Sequence, residues 1–378
     1  MMRPAGKKPA VSPHSPGPGP IGLSRRELVR VIAACCLLPL PTACGPSSAA
    51  PAPGRPARSA ALPVTRPRGP FGGRVEVYSW FDLPDEPRSR ELSGIAWDES
   101  TNTLWAVQDE TANIVPLVPD ATLRTWGFGP VIVLKMSFPL DLEGIVVTPK
   151  GFIVASEKGP RILEVDRAGK LRRDIPLPAH FLKARDNKSL ESLSMSPDGR
   201  YLFTTSETAL SCDGAYATTS AGTRVRILRT NRDGGEPEEH AYATDPLPHD
   251  GGDYGIADLA AIASDDVLVL ERGWARGSGN TARIYRVSLT DPITSCLALP
   301  QLSPDLPVMP KQLIVDLGKI PAKGLPKAKQ TQESALLDNY EGLALGPVLP
   351  DGRHSLILVS DDNARSDQFA RIVVLAVG

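Results

Sequence analysis

The sequence predicts an all-β fold, a β-propeller of about five four-stranded blades. A unit of two short strands joined by a turn recurs five times, and a third strand follows each unit. The units are spaced by about 50 to 80 residues, a repeat length typical of propeller blades. The 33 glycines and 38 prolines among 378 residues indicate a turn-rich chain rather than a helix bundle.

The composition is that of a soluble globular protein, with 41% hydrophobic residues, 22% charged residues and a mean hydropathy of −0.13. The net charge of −1 conceals an uneven distribution, because residues 1–70 contain ten Lys and Arg but only one acidic residue, Glu27. The totals of 42 basic and 43 acidic residues therefore leave 32 and 42 for residues 71–378. Such a body repels phosphate backbones, so we expect no nucleic-acid partner.

Residues 1–44 are interpreted as an export signal. Two adjacent arginines, Arg25 and Arg26, precede an apolar run at residues 31–40, a pattern that resembles a bacterial twin-arginine signal. A general secretory signal with a basic start is the alternative. The run is shorter than the roughly 20 apolar residues that span a bilayer, so it predicts export to the periplasm or the outside rather than anchoring by a helix.

A possible lipid attachment site follows the apolar run. Residues 40–45 resemble a lipoprotein cleavage box in which Cys44 would be lipidated, although Pro41 stands where an aliphatic residue is usual. The sequence leaves two alternatives, a protein anchored by a lipid on Cys44 and a protein released after cleavage. We expect contact with a membrane only through such a lipid. Residues 45–70 are interpreted as a flexible Pro/Ala-rich tether, and residues 71–378 as a propeller domain that is a monomer.

Two cysteines, Cys212 and Cys296, lie in the propeller domain. An exported protein with one such pair favours a disulfide between them. Two separate thiols are the alternative.

Each of the five units has a short first strand, a turn and a more apolar second strand that ends in an acidic residue. Third strands are predicted at 114–118, 161–165, 224–228, 283–287 and 371–375, and fourth strands at, for example, 171–175 and 312–317. The fifth unit lacks a fourth strand, and residues 74–80 are predicted to complete it and close the ring. Six blades remain an alternative, because residues 212–224 and 292–311 are long enough to contain further strands.

Five strings along the chain resemble a bacterial family of phytase-like proteins, known for an esterase-like activity of phytase. They are, in order, DLEGI, NKSLESL, VLERGW, YEGLALGP and LVSDDN. The resemblance extends over residues 75–377. It implies a propeller related in style to the calcium-dependent alkaline phytases, which have six blades, and hydrolysis of a small-molecule phosphate or carboxylate ester.

Two recurring positions in the units predict rings of side chains around the channel. The first strands begin with Ser93, Glu143, Glu191, Asp258 and Glu341. The second strands end with Asp109, Glu157, Glu207, Glu271 and Asp361. Carboxylates about 5 Å apart repel by roughly 3 kcal/mol at an effective dielectric constant of 20, so such rings need cations, protons or arginines.

Oxygen ligands of this kind favour a hard cation, Ca²⁺ before Mg²⁺. We expect one end of the channel to hold Ca²⁺, with ligands Glu143, Glu191, Glu341, Asp361, Asp362 and Asn363. The run at 361–363 supports this because only the fifth unit has three oxygen-bearing side chains there. The alternative is structural: the acids cap strands, and arginines that begin the third strands neutralise them, namely Arg161, Arg224, Arg283 and Arg371.

The candidate catalytic residues are Glu143, Glu191, Glu341 and His249, and the candidate substrate-binding residues are Arg161, Arg272 and Arg283. His249 lies in a Gly-rich loop with Asp245, Asp250 and Asp253. It is interpreted either as a general base or as an exposed loop histidine without a catalytic role. The sequence has no Gly-x-Ser-x-Gly motif and no zinc-type histidine spacing. Two functions remain: metal-assisted hydrolysis of a phosphate ester, or a non-catalytic propeller that binds a ligand or protein at the cell surface.

Overall fold

The structure is a computed structural model that describes residues 71, 73–109 and 111–378. The predicted export signal, the tether and Cys44 lie outside these residues, as does Glu110. The first strand of the described chain is β1 (Val75–Asp82).

The described residues form five antiparallel sheets, which are the predicted five blades of a β-propeller. Blade 1 consists of β2 (Leu92–Asp98), β3 (Thr103–Gln108), β4 (Asn113–Pro119), β5 (Trp126–Phe128) and β6 (Ile132–Val133). Blade 2 consists of β7 (Leu142–Thr148), β8 (Gly151–Ser156), β9 (Arg161–Asp166) and β10 (Leu171–Ile175). Blade 3 consists of β11 (Ser194–Met195), β12 (Tyr201–Thr204), β13 (Arg224–Asn231) and β14 (Glu238–Ala243).

Blades 4 and 5 complete the ring. Blade 4 consists of β15 (Gly252–Ala261), β16 (Asp266–Ala275), β17 (Gly279–Ser288) and β18 (Lys311–Asp316). Blade 5 consists of β19 (Tyr340–Leu345), β20 (His354–Ser360) and β21 (Arg371–Val377), with β1 as its outer strand. Three short 3₁₀ helices occur among the described residues, at Ala179–Lys183, Pro292–Thr294 and Leu317–Lys319. None of the described helices is long and apolar enough to cross a membrane.

The ring closes as predicted, by pairing of the first strand with the last. β1 runs antiparallel to β21, with Val75 opposite Val377 and Asp82 opposite Arg371. The predicted intervals 212–224 and 292–311 contain no sixth sheet. The pairing protects what would otherwise be an open strand edge.

Apolar side chains fill the space between neighbouring blades. Leu104 of blade 1 packs in one cluster with Ile357 and Val374 of blade 5, and Leu268 of blade 4 packs in another with Val373. Three further clusters join the remaining neighbours in the order of the chain. The core is therefore a set of wedges between blades, and the first strand of each blade is left to line the channel.

A register shift interrupts the first strand of blades 1, 2, 4 and 5 near its start. In blade 2, Leu142 pairs with Ser156 and Gly144 pairs with Ala155, so Glu143 is the extra residue. A β-carbon on Gly144 would lie 2.5 Å from the backbone nitrogen of Leu193 in blade 3. The glycine after the acid thus lets adjacent first strands approach closely.

The first strand of blade 3 is more interrupted than predicted. Leu190 forms only an isolated bridge with Ser206, and regular pairing resumes at β11. Between them the hydroxyl of Ser192 accepts from the backbone N–H of Thr205 at 3.2 Å, and Thr204 Oγ1 donates to the Ser192 carbonyl at 2.7 Å. These side-chain hydrogen bonds replace part of the strand ladder.

The predicted disulfide is not formed, and Cys212 and Cys296 are both free thiols. Cys296 is buried beside Leu302, whereas Cys212 packs against a different cluster. The guanidinium of Arg226 lies between these regions, where its Nη1 donates to the Cys296 carbonyl at 2.9 Å. Arg226 also holds Asp213, the neighbour of Cys212, through two hydrogen bonds of 2.7 and 2.8 Å.

Candidate functional site

A cavity of about 580 Å³ lies at the end of the channel where the first strands begin. Glu143, Glu191 and Glu341, the predicted catalytic acids, line it together. Asp361 and Asn363 line it as well. The sequence pattern therefore located this end of the channel as a place where carboxylates converge.

The register of blade 4 corrects the two predicted rings. Ile256 pairs with Glu271 and Asp258 pairs with Leu270, so Ala257 is the extra residue of this bulge. Ala257 thus occupies the position of the channel glutamates, and Arg272 occupies that of the second-ring acids. The predicted ring residues Asp258 and Glu271 are therefore each one residue away from the true ring positions in the first and second strands of blade 4.

The corrected rings supply nine of the residues that line the cavity. The first ring is Ser93, Glu143, Glu191, Ala257 and Glu341, and the second ring is Asp109, Glu157, Glu207, Arg272 and Asp361. All of them except Ala257 line the cavity. Seven carboxylates thus face the channel with one guanidinium among them.

Asp258 and Glu271, which were predicted as ring members, are buried outside the cavity. Asp258 accepts hydrogen bonds from the backbone N–H groups of Leu259 at 2.8 Å and Leu343 at 2.7 Å, so it ties blade 4 to blade 5. Glu271 binds the ammonium of Lys311 at 2.6 Å. For these two residues the structural alternative is correct.

Arg272 neutralises the blade 5 side of the rings. Its Nη2 lies 2.8 Å from Glu341 Oε1 and 3.9 Å from Glu191 Oε1. Burial lowers the pKa of Arg272, but the charges of Glu341, Glu207 and Glu191 outweigh burial and raise it overall. Arg272 is thus a permanent cation inside the acidic rings.

The arginines that begin the third strands do not neutralise the rings, contrary to the structural alternative. Arg161 stacks on Phe138, Arg224 donates to the carbonyl of Leu306, Arg283 binds Asp245 and Asp316, and Arg371 binds Asp82. Arg161 and Arg283, which were predicted to bind substrate, also lie outside the cavity wall. Their partners are on the outer strands and loops, because the third strand of a blade is not the one that faces the channel.

Lys188 supplies a second fixed cation, on blade 3. Its Nζ lies 2.7 Å from Glu207 Oε1 and 2.5 Å from Asp253 Oδ2. Burial raises the pKa of Asp253, but the charge of Lys188 outweighs it and lowers that pKa overall. The acids on blades 3, 4 and 5 therefore have cations built into the fold.

The acids on blades 1 and 2 are arranged differently. Oxygens of Asp109, Asp141 and Glu143 all lie within 4.8 Å of one another. Asp141 Oδ1 is buried and has no hydrogen-bond partner, while Oδ2 lies 3.2 Å from the exposed ammonium of Lys158. Sequence reasoning missed Asp141 because it precedes the strand, although it is the first letter of DLEGI.

Burial shifts the pKa values of these acids upward. It raises the pKa of Asp109 to about 9, with a further contribution from a hydrogen bond to Asp141. It raises the pKa of Glu157 to about 7, and, together with the charge of Glu341, that of Asp361 to about 8. Without a cation, the ring therefore retains protons at neutral pH.

The run at 361–363 forms a turn instead of a ligand cluster. Asp362 Oδ1 accepts from the backbone N–H of Ala364 at 3.1 Å and of Glu91 at 3.4 Å, and it lines a separate cavity of about 250 Å³. Asn363 has a left-handed φ of 48°, and its N–H donates to Asp361 Oδ1 at 2.8 Å. The predicted convergence of all three residues is therefore wrong, because Asp362 points away.

His249 is exposed and lies beside Pro248 and Trp274, outside the cavity wall. Within the described part of the chain, no histidine lines the cavity. The exposed-loop interpretation of His249 therefore agrees with the structure, and the general-base interpretation does not.

The opposite end of the channel is apolar. A space of about 150 Å³ there is lined by Trp97, Val147, Met195 and Leu345, among other residues. The charged groups that could bind a cation or a phosphate are therefore concentrated at one end.

Comparison with known protein families gives a match over most of the propeller. A family model described as Phytase-like, Esterase-like activity of phytase, matches residues 87–364. No curated protein sequence matches the chain.

Several solved structures are similar to this chain at low identity. A luciferin-regenerating enzyme is 14% identical, and the match covers 81% of this chain and 95% of that chain with a TM-score of 0.34. An endo-arabinase from Bacteroides thetaiotaomicron is 10% identical, with 80% and 96% covered and a TM-score of 0.45. A protein from Lactobacillus plantarum is 15% identical, with 72% and 64% covered and a TM-score of 0.34. At these distances the three structures carry no argument about function.

Proposed function

The chain belongs to the phytase-like family described as Esterase-like activity of phytase, and from that premise we propose that the charged end of its channel hydrolyses a phosphate ester with the help of a divalent cation. The observation that carries the proposal is the convergence of Glu143, Glu191 and Glu341 on one cavity that also contains Arg272. A volume of about 580 Å³ is within the range of small-molecule sites.

The cations in the cavity wall favour a phosphate over a neutral ester. Arg272 and Lys188 lie inside, and Arg276 and Arg365 are exposed on the lining. Guanidinium and ammonium groups are the side chains that bind and stabilise the charge of a transferring phosphoryl group. A carboxylate ester makes less use of them, because it carries no such charge before reaction.

Proton transfer can be assigned to the ring acids. When bound, a divalent cation would polarise the phosphoryl oxygen and lower the pKa of the attacking water. The water oxygen forms the new bond to phosphorus and its proton passes to Glu191, whose raised pKa makes it a stronger base once it is ionised. Asp361, which holds a proton at neutral pH, gives it to the leaving alcohol oxygen as the ester bond breaks.

The test is an assay of the protein on p-nitrophenyl phosphate, phytate and p-nitrophenyl acetate, with calcium and with a chelator. We expect hydrolysis of a phosphate substrate in calcium and its loss in chelator. Glu191→Gln should lower kcat by about 10²-fold or more, the usual contribution of a general base. Glu99→Gln is the matched control, since Glu99 is exposed outside the cavity lining.

Hydrolysis of the acetate alone would refute the phosphate specificity. No turnover of any substrate in either condition would leave the alternative function, a propeller that binds a ligand or protein without catalysis.

We also propose that the protein is exported, with the twin-arginine-like pattern at Arg25 and Arg26 and the possible lipidation at Cys44 as the support. Fractionation of the producing cell, with Arg25 and Arg26 both changed to Lys as the comparison, tests this. Retention of the wild-type protein in the cytoplasm would contradict it.

A further inference from the structure

We infer that a single hard divalent cation, calcium before magnesium, binds on blades 1 and 2 to Asp109, Asp141 and Glu143, and not to the carboxylates of blades 3 and 5. The inference rests on the proposed function for its role, but its evidence is geometric. It assigns the ligand Asp141 and fixes the number of cations at one.

The spacing of the three carboxylates matches a coordination shell. Their closest oxygens lie within 4.8 Å of one another. For metal–oxygen distances of about 2.4 Å, ligand oxygens lie about 3.4 Å apart when adjacent and about 4.8 Å apart when opposite. Separations within this limit are compatible with three oxygens that share one ion.

The burial of Asp141 is the second, independent observation. Only 6% of Asp141 is exposed, and its Oδ1 has no hydrogen-bond partner. A buried carboxylate oxygen without a partner costs free energy, and the carboxyl group of Asp109 beside it can donate only while that group keeps its proton. A cation in the cluster satisfies this oxygen.

The local backbone also holds the three ligands in place. The N–H of Leu142 donates to the Asp109 carbonyl at 3.3 Å, so the end of β3 in blade 1 is joined to the start of β7 in blade 2. The hydroxyl of Ser93 donates to Glu143 Oε2 at 2.5 Å, which fixes the orientation of that carboxylate. A site held in this way needs little ordering when the ion binds.

Three channel carboxylates of blades 3 and 5 already face a cation of the protein. Arg272 forms an ion pair with Glu341 and lies 3.9 Å from Glu191. Lys188 forms an ion pair with Glu207. A divalent cation there would face a buried guanidinium, whereas at Asp141 the nearby ammonium of Lys158 is half exposed. Charge therefore directs the ion to blades 1 and 2.

The inference is tested by titrating the full chain with Ca²⁺ and with Mg²⁺ in a calorimeter, without any substrate. We expect one Ca²⁺ per chain. Asp141→Asn should weaken Ca²⁺ binding by about 100-fold, because the remaining ligands cannot complete a shell of six to eight oxygens. Asp361→Asn is the matched control, since Asp361 is a buried carboxylate of the cavity that Asp109 and Glu143 line, and the affinity of this variant should stay within about threefold of wild type.

Melting curves in chelator show whether each variant folds, and Glu143→Gln replaces Asp141→Asn if the latter does not. Two or more ions per chain, no binding by wild type, or a larger loss in Asp361→Asn than in Asp141→Asn would overturn the inference. Failure of the proposed function gives a different result: calcium binds and is lost in Asp141→Asn, but no ester is hydrolysed. If esters are hydrolysed in chelator and no ion binds, the hydrolase stands and the cation site is refuted.

Discussion

Replacing Arg272 should destabilise the protein strongly, and more at alkaline than at acidic pH. Its Nη2 lies 2.8 Å from one oxygen of Glu341 and 3.9 Å from one of Glu191, and its side chain is only 15% exposed. At an effective dielectric constant of 20, these distances correspond to attractions of about 6 and 4 kcal/mol. The desolvation of the guanidinium offsets much of this sum.

Arg272→Met keeps most of the side-chain volume and leaves two buried carboxylates without their cation. Removing one partner of a buried ion pair costs about 3 to 5 kcal/mol, so we expect a loss of this size in the free energy of unfolding at pH 8. At pH 5 Glu191, whose pKa burial raises well above its usual range, holds a proton in the folded variant, which removes part of the unpaired charge. The loss should then fall to about 1 to 2 kcal/mol, because missing packing and hydrogen bonds account for most of it.

Urea unfolding of wild type and Arg272→Met at both pH values, in chelator, measures these differences. Arg276→Met is the matched control, because Arg276 follows the same strand but is exposed at the cavity rim. Its stability should stay within about 0.5 kcal/mol of wild type, as for most surface substitutions. An equal loss for Arg272→Met at pH 5 and pH 8, or a loss no larger than that of the control, would refute the electrostatic role of Arg272.

Three further predictions follow from buried groups. Asp361 has a pKa of about 8 in the folded state against the usual 3.8, so the folded state binds its proton more tightly than the unfolded state does. The stability that comes from this proton is fully present below about pH 4 and is lost as pH rises to about 8. Asp361→Asn should remove up to about 1.4 kcal/mol per pH unit from that slope in urea unfolding in chelator, and an unchanged slope would contradict this. The buried Arg371 donates two charged hydrogen bonds to Asp82 of β1, and these help to close the ring. Asp82→Asn should therefore lower the free energy of unfolding by about 1.5 to 3 kcal/mol, and a melting curve like that of wild type would argue against it. In denaturant without reductant, changing both Cys212 and Cys296 to Ser should lower the titrated thiols by two, whereas no decrease would indicate a disulfide.

The architecture could be predicted because every blade repeats the same local pattern. The unit length, the turns and the apolar second strands are determined by residues close in sequence. Closure by β1 could be predicted as well, because the last blade lacks a fourth strand and the first strand of the domain has no other partner in the repeat. The end of the channel where the acids converge followed from the recurrence of Glu143, Glu191 and Glu341 at the starts of first strands.

The composition of the rings could not be derived in the same way. A β-bulge shifts the register by one residue, and nothing in the letters of blade 4 shows whether Ala257 or Asp258 is the extra one. Because the first and second strands pair with each other, placing Asp258 in the first ring also placed Glu271 instead of Arg272 in the second ring. Asp141 was missed for a related reason: it lies outside the repeated strands, and only the neighbouring blade brings Asp109 to it.

The place where the repeat breaks explains why the two halves of the rings differ. The run at 361–363 is an obvious irregularity in the sequence, yet it forms a turn in which Asp361 accepts the N–H of Asn363. The irregularity that changes the chemistry is in blade 4, where the two ring positions carry Ala257 and Arg272 instead of two acids. One acid is absent and one is replaced by a cation, so the negative charge of the neighbouring blades is offset there. Blades 1 and 2 do not adjoin blade 4, and it is on their side of the channel, where Asp109, Asp141 and Glu143 lie together, that we propose the cation.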